Sequence, residues 1–199
     1  FDKKRKIAKE KIRDVAEKLF GYKLDDDFII AGTSGRYEFR NKGIDVYLDA
    51  LTKLNKENKL KKEIVNLILI PSNQHGARRD LIDALSGNQQ TEIAFPYTTH
   101  YLSDTDYDPI ISTLKRNEIT NRKEDKVKVI FIPTYLNGQD GIFDLKYYEL
   151  LIGLDLTVFA SYYEPWGYTP LESIAFKVPT ITTSLAGFGQ WAKENGAMI

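Results

Sequence analysis

Hydrophobic positions recur along this chain at two different spacings, and the spacings predict its elements. Over residues 3–20, Ile12, Val15, Ala16, Leu19 and Phe20 fall three and four apart among Lys, Arg and Glu, which predicts an amphipathic helix stopped at Gly21. Phe28-Ile29-Ile30-Ala31 is then a short apolar run closed by Gly32, the pattern of a strand covered on both faces. A second helix is predicted to open around 41–43, with Val46, Tyr47, Ala50, Leu51 and Leu54 facing inward. Residues 64–70 read as a strand ended by Pro71, and 77–85 as a helix. The stretch 86–108 is polar and aromatic without a period and reads as a loop excursion. Beyond it come a helix over 109–117, a strand over 127–132 ended by Pro133, a helix over 144–152 and a strand over 156–160. A short helix over 169–176, a strand over 180–183 and a turn at Gly187-Phe188-Gly189 complete the pattern.

Apolar strands that alternate with amphipathic helices predict an α/β fold, with a Rossmann-like, doubly wound parallel sheet covered on both faces. Such sheets bind ligands beyond the carboxyl ends of their strands. The loops that matter are then 32–43, 71–77, 133–144 and 161–170. Composition removes several function classes. With no cysteine, there is no disulfide framework, thiolate nucleophile or cysteine metal site, and two histidines are too few to build a zinc site. A net charge of zero argues against nucleic acid as the main partner. No apolar run approaches the ~20 residues of a membrane helix, and no signal peptide opens the chain. A soluble, cytoplasmic protein is expected. Phe1 stands where an initiator methionine is usual, and Gly196-Ala197-Met198-Ile199 ends before any evident closing element, so an excised piece of a longer protein is also expected.

Two strand-to-helix stretches carry chemistry. In Ser161-Tyr162-Tyr163-Glu164-Pro165-Trp166-Gly167-Tyr168-Thr169-Pro170-Leu171-Glu172, Thr169 suits an N-cap, Pro170 the first helical position and Glu172 the third, which is a capping box. The free N–H groups of that helix end would face a ligand as an anion site, and Gly167 would let the backbone come close. A plain cap accounts for Glu172 by itself. Glu164, eight residues earlier among Trp and Tyr, has no such structural need, and a carboxylate beside aromatic rings suits sugar hydroxyls and sugar faces. In Gly35-Arg36-Tyr37-Glu38-Phe39-Arg40-Asn41-Lys42-Gly43, Arg36 and Lys42 could converge on phosphate oxygens and stabilise a leaving diphosphate, or be two solvated surface cations. His75 and His100 are loop histidines that either face the cleft or are ordinary loop residues.

These stretches resemble the animal and fungal-type glycogen synthases, which are retaining glycosyltransferases of the GT-B fold. The resemblance rests on residues 35–43, on Glu164-Pro165-Trp166-Gly167-Tyr168-Thr169-Pro170 and on Ser184-Leu185-Ala186-Gly187-Phe188-Gly189. It extends more loosely to Pro96-Tyr97-Thr98-Thr99-His100 and to 125–131, running from about residue 26 to 190, while the first 25 residues match only vaguely. The resemblance implies that Arg36 and Lys42 hold the donor phosphates and assist the leaving group. It implies that Glu164 meets the glucose hydroxyls near the reacting carbon, and that Glu172 serves the ribose. Tyr147, seventeen residues before Glu164, falls where the family stacks an aromatic ring on uracil, with a half-buried helix residue as the bland alternative. The resemblance also implies that Tyr168 and Thr169 form the turn whose backbone meets the pyrophosphate, with Trp166 and Gly167 beside them as nucleotide-sugar-binding residues.

The resemblance thus leads to the expectation of a carboxyl-terminal, donor-binding domain of a GT-B enzyme over 26–199, preceded by a helical segment over 1–25 that could lie between domains. The partner amino-terminal domain is absent from these residues. The reaction implied is glucose transfer from UDP-glucose to the non-reducing end of an α-1,4-glucan with retention, without metal or other cofactor. Partners would be the nucleotide sugar, the glucan acceptor and the amino-terminal domain of the same chain, with a homo-oligomer allowed and neither nucleic acid nor membrane involved. Two rivals stand beside it: another retaining glycosyltransferase, such as an ADP-glucose starch synthase or a sucrose-type enzyme, and a non-catalytic sugar-nucleotide-binding module.

Overall fold

A computed structural model describes residues 1–57, 59–88 and 93–196. Seven helices and seven strands are present among them: α1 (Asp2–Phe20), β1 (Ile29–Ser34), α2 (Ile44–Glu57), β2 (Ile64–Leu69), β3 (Gln74–Ala77), α3 (Arg79–Leu85), β4 (His100–Leu102), α4 (Pro109–Arg116), β5 (Val127–Ile132), α5 (Tyr147–Leu151), β6 (Leu156–Phe159), α6 (Tyr168–Ala175), β7 (Thr180–Thr182) and α7 (Gly187–Glu194). Five strands form one parallel sheet in the spatial order β5-β2-β1-β6-β7. Counted within this sheet the order is 3-2-1-4-5, which is the doubly wound arrangement, and the chain reverses its winding direction between β1 and β6. The crevice above that reversal is where such a sheet receives a ligand.

Alternate residues of the central strands supply two cores. One face carries Ile30, Val65, Leu67, Leu69, Ile130 and Ile132 against Ile12, Val15, Ala16 and Leu19 of α1 and Leu150 and Leu151 of α5. The opposite face carries Ile68, Val127, Val129 and Phe131 against Ile44, Leu48 and Leu51 of α2 and Ile110, Ile111 and Leu114 of α4. Each such fully buried aliphatic side chain stabilises the fold by roughly 1.5–3 kcal/mol relative to exposure. Helix α1 is an integral layer of the first core, and Asp155 at the start of β6 fastens it: the carboxylate accepts from Arg5 and Lys9 and from the backbone N–H of Ile30. No helix among the described residues is long and apolar enough to cross a membrane.

Several local expectations are corrected. The inward face of α2 is Ile44, Tyr47, Leu48, Leu51 and Thr52, whereas Val46, Ala50 and Leu54 are exposed. The helix opens at Ile44, and the face it turns to the sheet includes Leu48 and Thr52 in place of Val46, Ala50 and Leu54. The loop excursion over 86–108 contains β4, whose residues pair with β3 in a separate antiparallel ribbon, Gln74 with Leu102 and Ala77 with His100. Two strands this short leave no period to read. Within that excursion, 89–92 lie outside the described residues. Where a turn is expected at Gly187-Phe188-Gly189, helix α7 begins.

Candidate functional site

The site is assembled where the loops after β1 and β6 touch. The N–H of Tyr162 donates to the carbonyl of Asn41 at 2.9 Å, joining the two loops by backbone. Gly43 has φ of +62°, and a Cβ on it would stand 1.9 Å from the carbonyl oxygen of Ala160. Only glycine permits that approach, and it delivers Lys42 to Glu164. The two form an ion pair whose side chains are 16% and 21% exposed, so it is largely shielded from water. The Lys42 stem passes beside Gly35, which lines the neighbouring cavity.

Tyr37 holds the first loop in place from below. Its hydroxyl donates to Asp108 at 2.7 Å, and Asp108 is the N-cap of α4, accepting from the N–H groups of Ile110 and Ile111. Burial and the Asp108 carboxylate raise the Tyr37 phenol well above its usual range, and burial raises the Asp108 carboxyl. Sequence reasoning missed both roles. The Asp108-Pro109 pair is a recognisable helix start, but nothing in the sequence couples Tyr37 to it.

A cavity of about 360 Å³ opens at the carboxyl ends of β1, β2 and β5, lined among others by Ser34, Arg36, Tyr37, Leu69, Tyr135, Tyr147 and Thr169. Tyr147 opens helix α5 and is half-buried, with its hydroxyl 2.7 Å from Ser34 Oγ. Burial is the main reason its phenol is pushed up to about 12, with the Glu172 carboxylate adding to the effect. Arg36 is 77% exposed and pairs with Glu38 at 2.9 Å, close enough to the cavity to line it yet held only by a solvated contact. Arg36 and Lys42 thus share one loop but are not side by side: Lys42 is sequestered by Glu164 and Arg36 stands at the rim.

The turn into α6 differs from its expected cap. Helix α6 starts at Tyr168, its N-cap is Gly167 with φ of +98°, and no side chain caps it. The capping box is not formed: Ser173 donates to the Thr169 carbonyl, and Glu172 instead accepts from the Tyr148 hydroxyl at 2.8 Å. A glycine in the left-handed region turns the chain one residue earlier than Thr169 would. Pro170 falls at the third helical position, where its missing N–H still has no intrahelical partner to lose. Thr169 lines the cavity, so the first turn of α6 faces it, while Tyr168 is 70% exposed. Trp166 leans on the other side, edge-on to Phe188 at 6.0 Å and beside Trp191 at 6.4 Å. The 164–166 stretch is joined to the start of α7 by hydrogen bonds from Gly187 N–H to Glu164 O and from Phe188 N–H to Trp166 O.

The histidines do not meet in the cleft. His75 is an exposed residue of β3. His100 is buried, its ring nitrogens 2.8 Å from Thr99 Oγ1 and 3.0 Å from the Asp140 carbonyl, and burial lowers its pKa below the usual range. It is a strut between β4 and the loop that leads to α5.

Fold and site together define a doubly wound α/β domain with a charged crevice at its topological switch point. Comparison with known proteins narrows this class. The profile of the family described as glycogen synthase matches residues 1–90 and 79–197. The glycogen [starch] synthase of Neurospora crassa is 30% identical over 244 residues, covering 94% of this chain and 35% of that protein. The liver glycogen [starch] synthase of Mus musculus is 30% identical, covering 96% and 35%, and isoform 1 of Saccharomyces cerevisiae is 28% identical, covering 94% and 36%. Among solved structures, WaaG, a glycosyltransferase involved in lipopolysaccharide biosynthesis, is similar with a TM-score of 0.43 at 15% identity, covering 92% of this chain and 35% of that one. The chain belongs to the glycogen synthase family. It spans about a third of the length of the curated relatives it matches, 35% for the first two, and the family match starts at residue 1, so α1 belongs to the shared region.

Proposed function

We propose that this chain is the donor-binding domain of a retaining glycogen synthase, which transfers glucose from UDP-glucose to the non-reducing end of an α-1,4-glucan in the cytoplasm. The observation that carries the reading is the Lys42–Glu164 pair beside a cavity that has Tyr147 on its wall and the first turn of α6 at its edge. A nucleoside diphosphate sugar needs an aromatic face for its base, positive charge for its diphosphate and a carboxylate for its sugar hydroxyls. All three kinds of group converge here.

In this reading the base stacks at Tyr147 and the ribose lies toward Glu172. The diphosphate meets the open N–H groups of α6 near Tyr168 and Thr169, together with Lys42 and Arg36. These groups supply the positive charge that stabilises the departing diphosphate as its charge grows. Lys42 must leave Glu164 to meet a phosphate, and Glu164 is thereby freed to orient the glucose hydroxyls beside the anomeric carbon. The acceptor hydroxyl attacks from the face that the diphosphate is leaving, which retains configuration. Glu164 acts by position and charge. Acceptor and remaining donor contacts would come from the amino-terminal half that the longer relatives have room for.

Calorimetric titration with UDP and ADP, with Tyr147→Ala alongside, tests this. Saturable UDP binding that weakens about 5- to 150-fold in Tyr147→Ala is expected, from ~1–3 kcal/mol of stacking. A preference for ADP would move the reading to a starch synthase, and UDP affinity that ignores Tyr147 would remove the base assignment.

A further inference from the structure

Helix α5 presents two adjacent tyrosines, and the proposed mechanism uses only the first. Tyr148 is 43% exposed, yet its ring is fixed on two sides. It stacks on Phe176 with centroids 4.9 Å apart and planes 3° from parallel, and it meets Tyr147 edge-on at 5.2 Å. Phe176 closes the C-terminal end of α6, and Glu172 stands one turn earlier on that helix. The same Tyr148 hydroxyl donates to Glu172 Oε1 at 2.8 Å. One side chain therefore ties the wall of the base pocket to the carboxylate on the neighbouring helix. With Oε1 occupied, Oε2 has no side-chain partner among the described hydrogen bonds. A carboxylate with one oxygen tethered and one free is pre-set to accept from a ligand hydroxyl, at less cost in side-chain entropy than a freely rotating glutamate.

We propose that Tyr148 is a positioning residue for Glu172, and that this pair makes the site selective for a nucleotide with an intact ribose diol over a deoxyribose nucleotide. The proposal rests on the reading of Glu172 as the ribose carboxylate. Tyr148 acts through Glu172 and touches neither the base nor the sugar. Its contribution is to aim the carboxylate, so that a hydroxyl to charged-acceptor bond forms without further ordering. Loss of the aim costs part of what such a bond contributes.

The test is calorimetric binding of UDP and of 2′-deoxy-UDP and 3′-deoxy-UDP to the unaltered protein, Tyr148→Phe, Glu172→Gln and the double variant. Tyr148→Phe retains the ring that stacks on Phe176, and a thermal melt checks that the fold is kept. The unaltered protein should prefer UDP over a deoxy analogue by about tenfold or more, and Tyr148→Phe should cut that ratio by about three- to tenfold. Affinity for the deoxy analogue itself should stay nearly constant. The double variant should lose no more than Glu172→Gln alone, since the two act as one unit. A ratio that falls in Glu172→Gln but is unchanged or higher in Tyr148→Phe overturns the role of Tyr148. A ratio that is flat in the unaltered protein, or that Glu172→Gln does not move, overturns the ribose reading beneath it and the proposal with it.

Discussion

Gly43 is the residue on which the crevice turns. Its left-handed φ and the 1.9 Å that would separate a Cβ from Ala160 O mean that no other residue fits without moving one loop off the other. Gly43→Ala should destabilise the fold by roughly 2–5 kcal/mol, the sum of left-handed strain and a backbone clash, read as a lowered denaturation midpoint. It should also weaken UDP binding, because Lys42 is the preceding residue in the chain. Stability and binding that both match the unaltered protein would show that the loops do not depend on their contact there. At the same scale, Lys42 and Glu164 each lend the other a partner. A shielded charge left alone is costly, so each spares the other that cost.

Between elements, the β3–β4 ribbon and the loop before α5 are joined by His100. Its folded pKa is depressed by burial, so the unfolded chain binds the proton more readily. Its contribution to stability is therefore present above the unfolded value of about 6.5 and is lost as pH falls below it. Melting temperatures should drop between about pH 7.5 and about pH 5.5, and His100→Gln should flatten that part of the drop. An equal drop in the variant would assign the acid sensitivity to other groups. Ribbon, strut and loop were the least legible parts of the sequence: β3 and β4 are too short for a period, and the partner of His100 is a backbone carbonyl forty residues away.

For the whole molecule, the chain accounts for about a third of its relatives' length, and the proposed transfer also needs an acceptor site, which the reading assigns to the amino-terminal half. The 199-residue chain should bind UDP yet move no labelled glucose from UDP-glucose into glycogen; transfer by this chain alone would overturn the division of labour. The alternation of apolar runs and amphipathic stripes determined the parallel α/β sheet without help, because burying both faces of a strand imposes a pattern that can be counted along the chain. Clustered residue types on two strand-to-helix loops likewise singled out the loops proposed as the donor site, since Arg36, Lys42 and Glu164 are residues that a core does not require. Only the tertiary structure decided that Lys42 pairs with Glu164, that Tyr37 anchors its loop on Asp108, that α6 is capped by Gly167 rather than Thr169, and that Tyr148 holds Glu172. Each of these depends on contact between segments far apart in sequence or on a backbone angle, and neither leaves a local period to read.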